Sequence, residues 1–247
     1  MTDARGAKGG DYTLITPANH YPSRLPQLGD DQFVVKLVTP RLTPSRIGES
    51  LITLNPSGGT VRPFDDDRET FLYVLEGLAL VDAGGELQLE AGGFAYLPPE
   101  MRYDLRAGDT GARVLVVSRP YEPTPGRDAP EPVDGHRDDE PFADTSVPGF
   151  TRRELLPVDD PAFDFNMSLL RFEPGVGLDK IEIHDEEHGL YMTAGGGTYV
   201  LGADEHEVAE GDFIYMAPYC PQGFTASAAG PAEYLLYKDV WRDGFAF

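Results

Sequence analysis

Glu187–Gly195 reads E-H-G-L-Y-M-T-A-G, and Glu69–Gly77 reads E-T-F-L-Y-V-L-E-G, with Glu, Leu, Tyr and Gly in the same places. A second match follows in the same order: Gly92–Pro99, G-G-F-A-Y-L-P-P, after the first copy and Gly211–Pro218, G-D-F-I-Y-M-A-P, after the second. Order and spacing are both kept, which is the mark of an internal duplication. The matched segments are β-branched and aromatic runs closed by Gly, Pro or Asp, as are SLITLNPSGG from Ser50, LALVDAGG from Leu78 and RVLVVSRPY from Arg113. This rhythm predicts antiparallel strands. No segment sustains a 3.6-residue apolar period, so helices are expected to be few and peripheral.

Two copies of a β-rich unit predict an all-β chain of two small barrels, each closing its own sheet. Pro123–Gly149, rich in Pro, Asp and Glu and poor in large aliphatics, has the composition of an exposed connector. The expected division is an N-terminal extension over 1–45, a first barrel without metal over 46–122, a connector over 123–149 and a second barrel with a metal site over 150–247. The chain has 247 residues, enough for two cores.

With a net charge of -22, the chain is a poor partner for nucleic-acid phosphates or anionic lipid, both of which are met by Lys and Arg. No uncharged apolar run reaches the length of a membrane span, and the first residues carry no apolar secretory core. The expectation is a cytoplasmic protein with no membrane or nucleic-acid partner. A single cysteine, Cys220, rules out an internal disulfide.

The chemistry gathers in I-E-I-H-D-E-E-H-G-L-Y, Ile181–Tyr191. Glu182 and His184 are two apart and share a face of an extended chain, and a turn at Asp185–Glu187 would return His188 toward them. The spacing resembles the cupin signature. Glu182-x-His184, His188 after three residues and Gly195 after six keep the frame of its first motif; Gly211, Pro218 and Gln222 keep the frame of its second, with Gln222 in the place of the usual histidine. The resemblance implies two tandem cupin barrels (double-stranded β-helix, jelly-roll) and the metal ligands Glu182, His184, His188 and Gln222. One anionic oxygen and three neutral donors suit six-coordinate Mn2+, or Fe2+, with two positions left open.

The order E-x-H-x-x-x-H, then G-D-x-I-x-M-x-x-Y-x-x-Q, with Y-x-L from Tyr199 before it and K-D-x-x-R-D from Lys238 after it, resembles the (S)-ureidoglycine aminohydrolases, bicupins of purine breakdown through allantoin. F-D-F-N-M at Phe163–Met167 also looks like a segment of that family. The resemblance implies Mn2+-dependent release of ammonia from (S)-ureidoglycine to give (S)-ureidoglycolate, one ion per chain, and a homo-oligomer. It implies Tyr199, Tyr234 and Lys238 as contacts to a small ureido acid, with Lys238 as the catalytic cation. By itself a tyrosine on a strand fills a core. Two other functions share the motif: an Fe2+ dioxygenase, which uses two His and one carboxylate, and a non-catalytic bicupin that binds a small acid.

Aligned through the shared segments, the N-terminal copy has Phe64, Asp66, Thr70 and Tyr103 where the C-terminal copy has Glu182, His184, His188 and Gln222, a poor set for a transition metal. His20, His136 and His206 are expected to be solvated, Cys220 to be a buried small hydrophobe, and Glu186 and Glu187 to be turn carboxylates, with Glu187 the one able to hold a ligating histidine.

Overall fold

The computed structural model describes residues 5–42, 44–65 and 67–240. They form two compact units, one within residues 21–139 and one of residues 5–20 with 140–240. Among the described residues the only helical element is a 3-10 turn, Pro17–Asn19, and no helix is long and apolar enough to cross a membrane.

The unit of Tyr21–Asp139 is built on Arg68–Asp82 paired with Asp104–Pro120. Their register shifts between Val74 and Glu76 and again between Gly77 and Ala79, and such bulges bend a ribbon. One half of the ribbon pairs with Gly48–Leu54 and Gly93–Leu97, while its far end pairs with Glu86–Glu90. Val34, Ile52, Leu72, Val74, Val81, Leu105 and Val114 fill the interior. Each side chain of this kind contributes roughly 1.5–3 kcal/mol when fully buried. The segment read as a connector contains Val133–His136, paired with Gly93–Leu97, and Ala143–Asp144, paired with Phe150–Glu154 in the other unit's own sheet.

In the second unit a sheet runs Ala7–Lys8, Tyr12–Ile15, Phe213–Met216, His188–Ala194, Ala232–Asp239, Phe165–Phe172, Phe150–Glu154, Ala143–Asp144. A smaller sheet is formed by Asp204–Ala209, Gly196–Leu201 and Gln222–Ala226. Gly196–Leu201 alternates as the pattern of a half-buried strand requires, Tyr199 and Leu201 inward and Thr198 outward to Glu207 at 2.9 Å. Leu170, Phe172, Leu190, Met192 and Ile214 of the larger sheet meet Tyr199, Leu201, Val208 and Phe224 of the smaller in one core.

The duplication is structural as well as sequential. Thr70 lies opposite Ser118 and Leu97, as His188 lies opposite Lys238 and Met216. A lone bridge joins Phe64 to Tyr103 in one unit and Glu182 to Gln222 in the other. The Tyr96 hydroxyl donates to Glu69 at 2.8 Å, and that of Tyr215 to Glu187 at 3.0 Å. Gly77 and Gly195 close the two repeated motifs at φ +77° and +67°, each where a Cβ would stand 2.1 Å from a carbonyl oxygen, of Gly111 and Pro231. Only glycine fits that corner.

Candidate active site

Glu182 and Gln222 are placed by the same bridge: the Glu182 amide donates to the Gln222 carbonyl at 2.8 Å and the Gln222 amide to the Glu182 carbonyl at 3.0 Å. Instead of a strand, residues 181–187 form an extended loop that keeps its alternation, with Ile181 and Ile183 exposed and Glu182 and His184 turned in. The Tyr219 amide holds the His184 carbonyl at 2.7 Å, and Tyr219 itself is one of the few non-glycine residues at positive φ, +64°. His188 begins a central strand, fixed from the preceding residue by the Glu187 amide on Asp239 Oδ1 at 2.9 Å.

These four side chains line a cavity of about 240 Å3 together with Tyr199, Tyr234 and Lys238. Three of them touch: Gln222 Nε2 is 2.9 Å from His188 Nδ1 and 3.2 Å from His184 Nε2, and the two imidazoles meet edge to face at 4.6 Å. Glu182 lines the same cavity without joining that cluster. Among the described residues no three His, Cys, Asp or Glu side chains close on one point. The donor chemistry nonetheless fits a divalent first-row ion, since two imidazoles, a carboxamide and a carboxylate give a mixed N/O set. A metal would take the carboxamide through Oε1, which lies 3.3 Å from His188 Nδ1. His188 Nε2 is buried with no hydrogen-bond partner, which costs free energy. Burial, with His184 and Lys238 adding their charges, pulls the His188 imidazole down to about 3, keeping it the neutral ligand a metal requires.

A carboxylate orients the second imidazole. Glu186 Oε2 is 3.0 Å from His184 Nδ1, and its Oε1 is 2.9 Å from Lys238 Nζ. His184 and Lys238 together hold the Glu186 carboxyl well below the usual carboxylate range, with burial opposing them. Glu186 thus favours the proton on Nδ1 and leaves the Nε2 lone pair of His184 toward Gln222. The carboxylate against a histidine is therefore Glu186 and not Glu187, which is buried and takes the Tyr215 hydroxyl. Lys238 is not a loose cation; Glu186 pins it at the cavity wall.

Tyr199 and Tyr234 are both buried, and the Tyr199 hydroxyl is 3.4 Å from Gln222 Oε1. Desolvation, backed by neighbouring phenol and Glu182 charge, raises Tyr199 well above the usual phenol range, and burial followed by Glu182 does the same for Tyr234. Both remain hydrogen-bond donors.

Two further residues of the cavity lie outside the spaced metal motif. Asn166 is 5% exposed, lies opposite Lys238 in register, and its Oδ1 is buried with no partner. Arg152 lines the same wall, braced on Ser168 Oγ at 3.0 Å and 3.2 Å. Both reach the site through strand register, and only the F-D-F-N-M segment drew notice to Asn166. Cys220 packs in the core beside the site instead of lining it, and burial pushes its thiol up to about 12. His206 Nε2 meets the Tyr12 hydroxyl at 3.0 Å and His136 Nε2 the Ala91 carbonyl at 3.0 Å, so neither is simply solvated.

No family model matches the chain. It is 34% identical to the (S)-ureidoglycine aminohydrolase of Arabidopsis thaliana over 94% of this chain and 77% of that protein. To the (S)-ureidoglycine aminohydrolase of Escherichia coli K12 it is 32% identical over 96% of this chain and 91% of that protein. Among solved structures, the putative glyoxylate-induced protein of Pseudomonas aeruginosa superposes with a TM-score of 0.88 at 26% identity, covering 98% of this chain and 94% of that one. An oxalate decarboxylase of Lactobacillus farciminis superposes with a TM-score of 0.70 at 12% identity, over 95% of this chain and 87% of that one, a likeness of fold alone. The fold is that of two tandem cupin barrels.

Proposed function

The chain belongs to the (S)-ureidoglycine aminohydrolase family, and we propose that it releases ammonia from (S)-ureidoglycine to give (S)-ureidoglycolate, in the breakdown of allantoin, at the cavity of Glu182, His184, His188 and Gln222. The observation that carries this reading is the convergence, in one cavity, of a metal-type donor cluster, a pinned cation and two protonated phenols. Overall, the carbon bearing the amine loses its C–N bond and gains a C–O bond from water, and the departing nitrogen takes the electron pair and a proton.

A divalent ion, Mn2+ in this proposal, held by Glu182, His184, His188 and Gln222 supplies Lewis acidity and a template for a small chelating acid. Lys238, fixed by Glu186, and Arg152, fixed by Ser168, present positive charge to the substrate carboxylate. Tyr199 and Tyr234 donate hydrogen bonds to the ureido oxygen. Asn166 Oδ1, otherwise orphaned, accepts from a substrate N–H and so favours a nitrogen over an oxygen-only analogue. Leu170, Leu178 and Leu236 line the remaining wall and limit the entry of water.

The test is ammonia release from (S)-ureidoglycine by the purified protein, with elemental analysis of the same sample. One ion per chain is expected, with activity lost on chelation and recovered with Mn2+. Lys238→Met and Asn166→Leu should each raise KM by about tenfold or more, the loss of one charge-assisted or one buried polar contact. Oxygen consumption without ammonia would identify an Fe2+ dioxygenase instead, and stoichiometric binding without turnover a non-catalytic bicupin.

A further inference from the structure

The unit of Tyr21–Asp139 has its own barrel cavity, of about 290 Å3, in the place that the metal-type cluster holds in the other unit. Thr70 and Tyr103, the register equivalents of His188 and Gln222, line it, and Gly48 stands where the other copy has Asn166. The lone bridge there joins Phe64 to Tyr103, whose rings stack at 4.9 Å and close one side with hydrocarbon.

The described lining of this cavity keeps two cations, as its counterpart does, but has none of the metal-type donors. Its lining includes Lys36 and Arg68 and, among the described residues, no acid, although the chain has 42 Asp and Glu against 20 Lys and Arg. Strand register puts Lys36, itself exposed, opposite Ser50, and Gly48 and Thr70 on either side of Ser118, and all of them line the cavity. Arg68 is braced for this position, its Nε on Ser118 Oγ at 3.2 Å and its Nη2 on the Ser118 carbonyl at 3.0 Å. Ser50 and Thr70, the latter buried, add two hydroxyls to the lining. Two cations and two hydroxyls around a space walled by Ile52, Val116 and Phe64 form a site for an anion with a short apolar part.

We propose that the cavity of this unit binds a small carboxylate. Its charge meets Lys36 and Arg68, its oxygens accept hydrogen bonds from Ser50 and Thr70, and its hydrocarbon end lies against Ile52 and Val116. A carboxylate suits the wall better than inorganic phosphate, which has no apolar face to bury.

Propionate is the probe, titrated calorimetrically into the full-length protein, with inorganic phosphate as the comparison. A dissociation constant of about 1 mM or tighter is expected for propionate, and weaker binding for phosphate. Lys36→Met should weaken propionate by about tenfold, the value of one lost charge-assisted contact. Gly48→Leu tests the space itself: a Cβ there would stand 3.6 Å from Ser118 Oγ and 3.7 Å from Arg68 Nη2, in ordinary contact, and the rest of the side chain would fill the cavity. Lys238→Met, in the other unit, removes any propionate heat that comes from that cavity, and the binding that remains should still weaken about tenfold when Lys36→Met is added. Loss of binding in Lys238→Met with retention in Lys36→Met would put the anion in the other cavity and overturn the proposal. No propionate heat in the wild type, or phosphate binding as tightly, would overturn it equally.

Discussion

Gln222 sits in the frame position where a cupin ordinarily has histidine, and the structure gives its carboxamide contacts an imidazole would not reproduce. Its Nε2 faces both His184 and His188 and its Oε1 lies near the Tyr199 hydroxyl. Gln222→His should still bind metal, since imidazole is the stronger donor to most first-row ions, yet kcat should fall steeply because the tyrosine loses its acceptor and the donor field at the ion changes. Gln222→Ala should instead lose metal, with added Mn2+ restoring part of the ammonia release. Metal content and turnover measured on both variants decide it: an alanine variant that keeps both would remove Gln222 from the ligand set. Gln222 was legible because its motif has a fixed spacing. Asn166 was not, since it reaches the cavity by pairing with Lys238, a contact set by sheet register that no local pattern encodes.

At the scale of the element, the repeated strand and the glycine that ends it were the most legible part of the chain, because a residue that must be glycine leaves a mark in both copies. The cost of changing it can be separated into two parts. Gly195 and Gly202 have nearly the same φ, +67° and +64°, but a Cβ at Gly195 would meet the Pro231 oxygen at 2.1 Å, whereas nothing lies nearer than 3.9 Å at Gly202. Gly202→Ala should therefore cost about 1 kcal/mol, the backbone penalty alone, while Gly195→Ala should cost at least about 3 kcal/mol because backbone must also move. Urea unfolding of the two variants gives the comparison, and equal losses would put the whole cost in φ. Gly195 also leads into the strand that carries Tyr199, so its variant should lose activity beyond its loss of stability. The strands at Val133–His136 and Ala143–Asp144 were hidden for the opposite reason: short and poor in large apolar side chains, they owe their form to the partner strand rather than to their own side chains.

For the whole molecule, the acidic balance was plain from composition, but a buried carboxyl that ties stability to pH was not. Glu49 is 1% exposed with Oε2 unpartnered, and burial pushes it from an ordinary 4.5 up to about 8. The folded chain thus holds a proton that the unfolded chain releases first. Stability contributed by this group is complete below pH 4.5 and falls through the window up to pH 8, by at most about 1.4 kcal/mol per unit. Glu49→Gln should flatten that slope, read as the difference in urea midpoint between pH 5 and pH 8; a variant with the parent's pH dependence would locate the titration elsewhere. Nor does any local pattern in Tyr12–Ile15 announce that it pairs with Phe213–Met216. That pairing imposes an order on biosynthesis. Every strand partner within Tyr21–Asp139 has been made once residue 139 has been, whereas Tyr12–Ile15 leaves the ribosome first and must wait, at ordinary elongation rates, about 10–40 s for its mate. During that interval it is a free β-edge, flanked by Lys8 and Asp11, charges of the kind that keep such an edge from pairing with a neighbouring nascent chain.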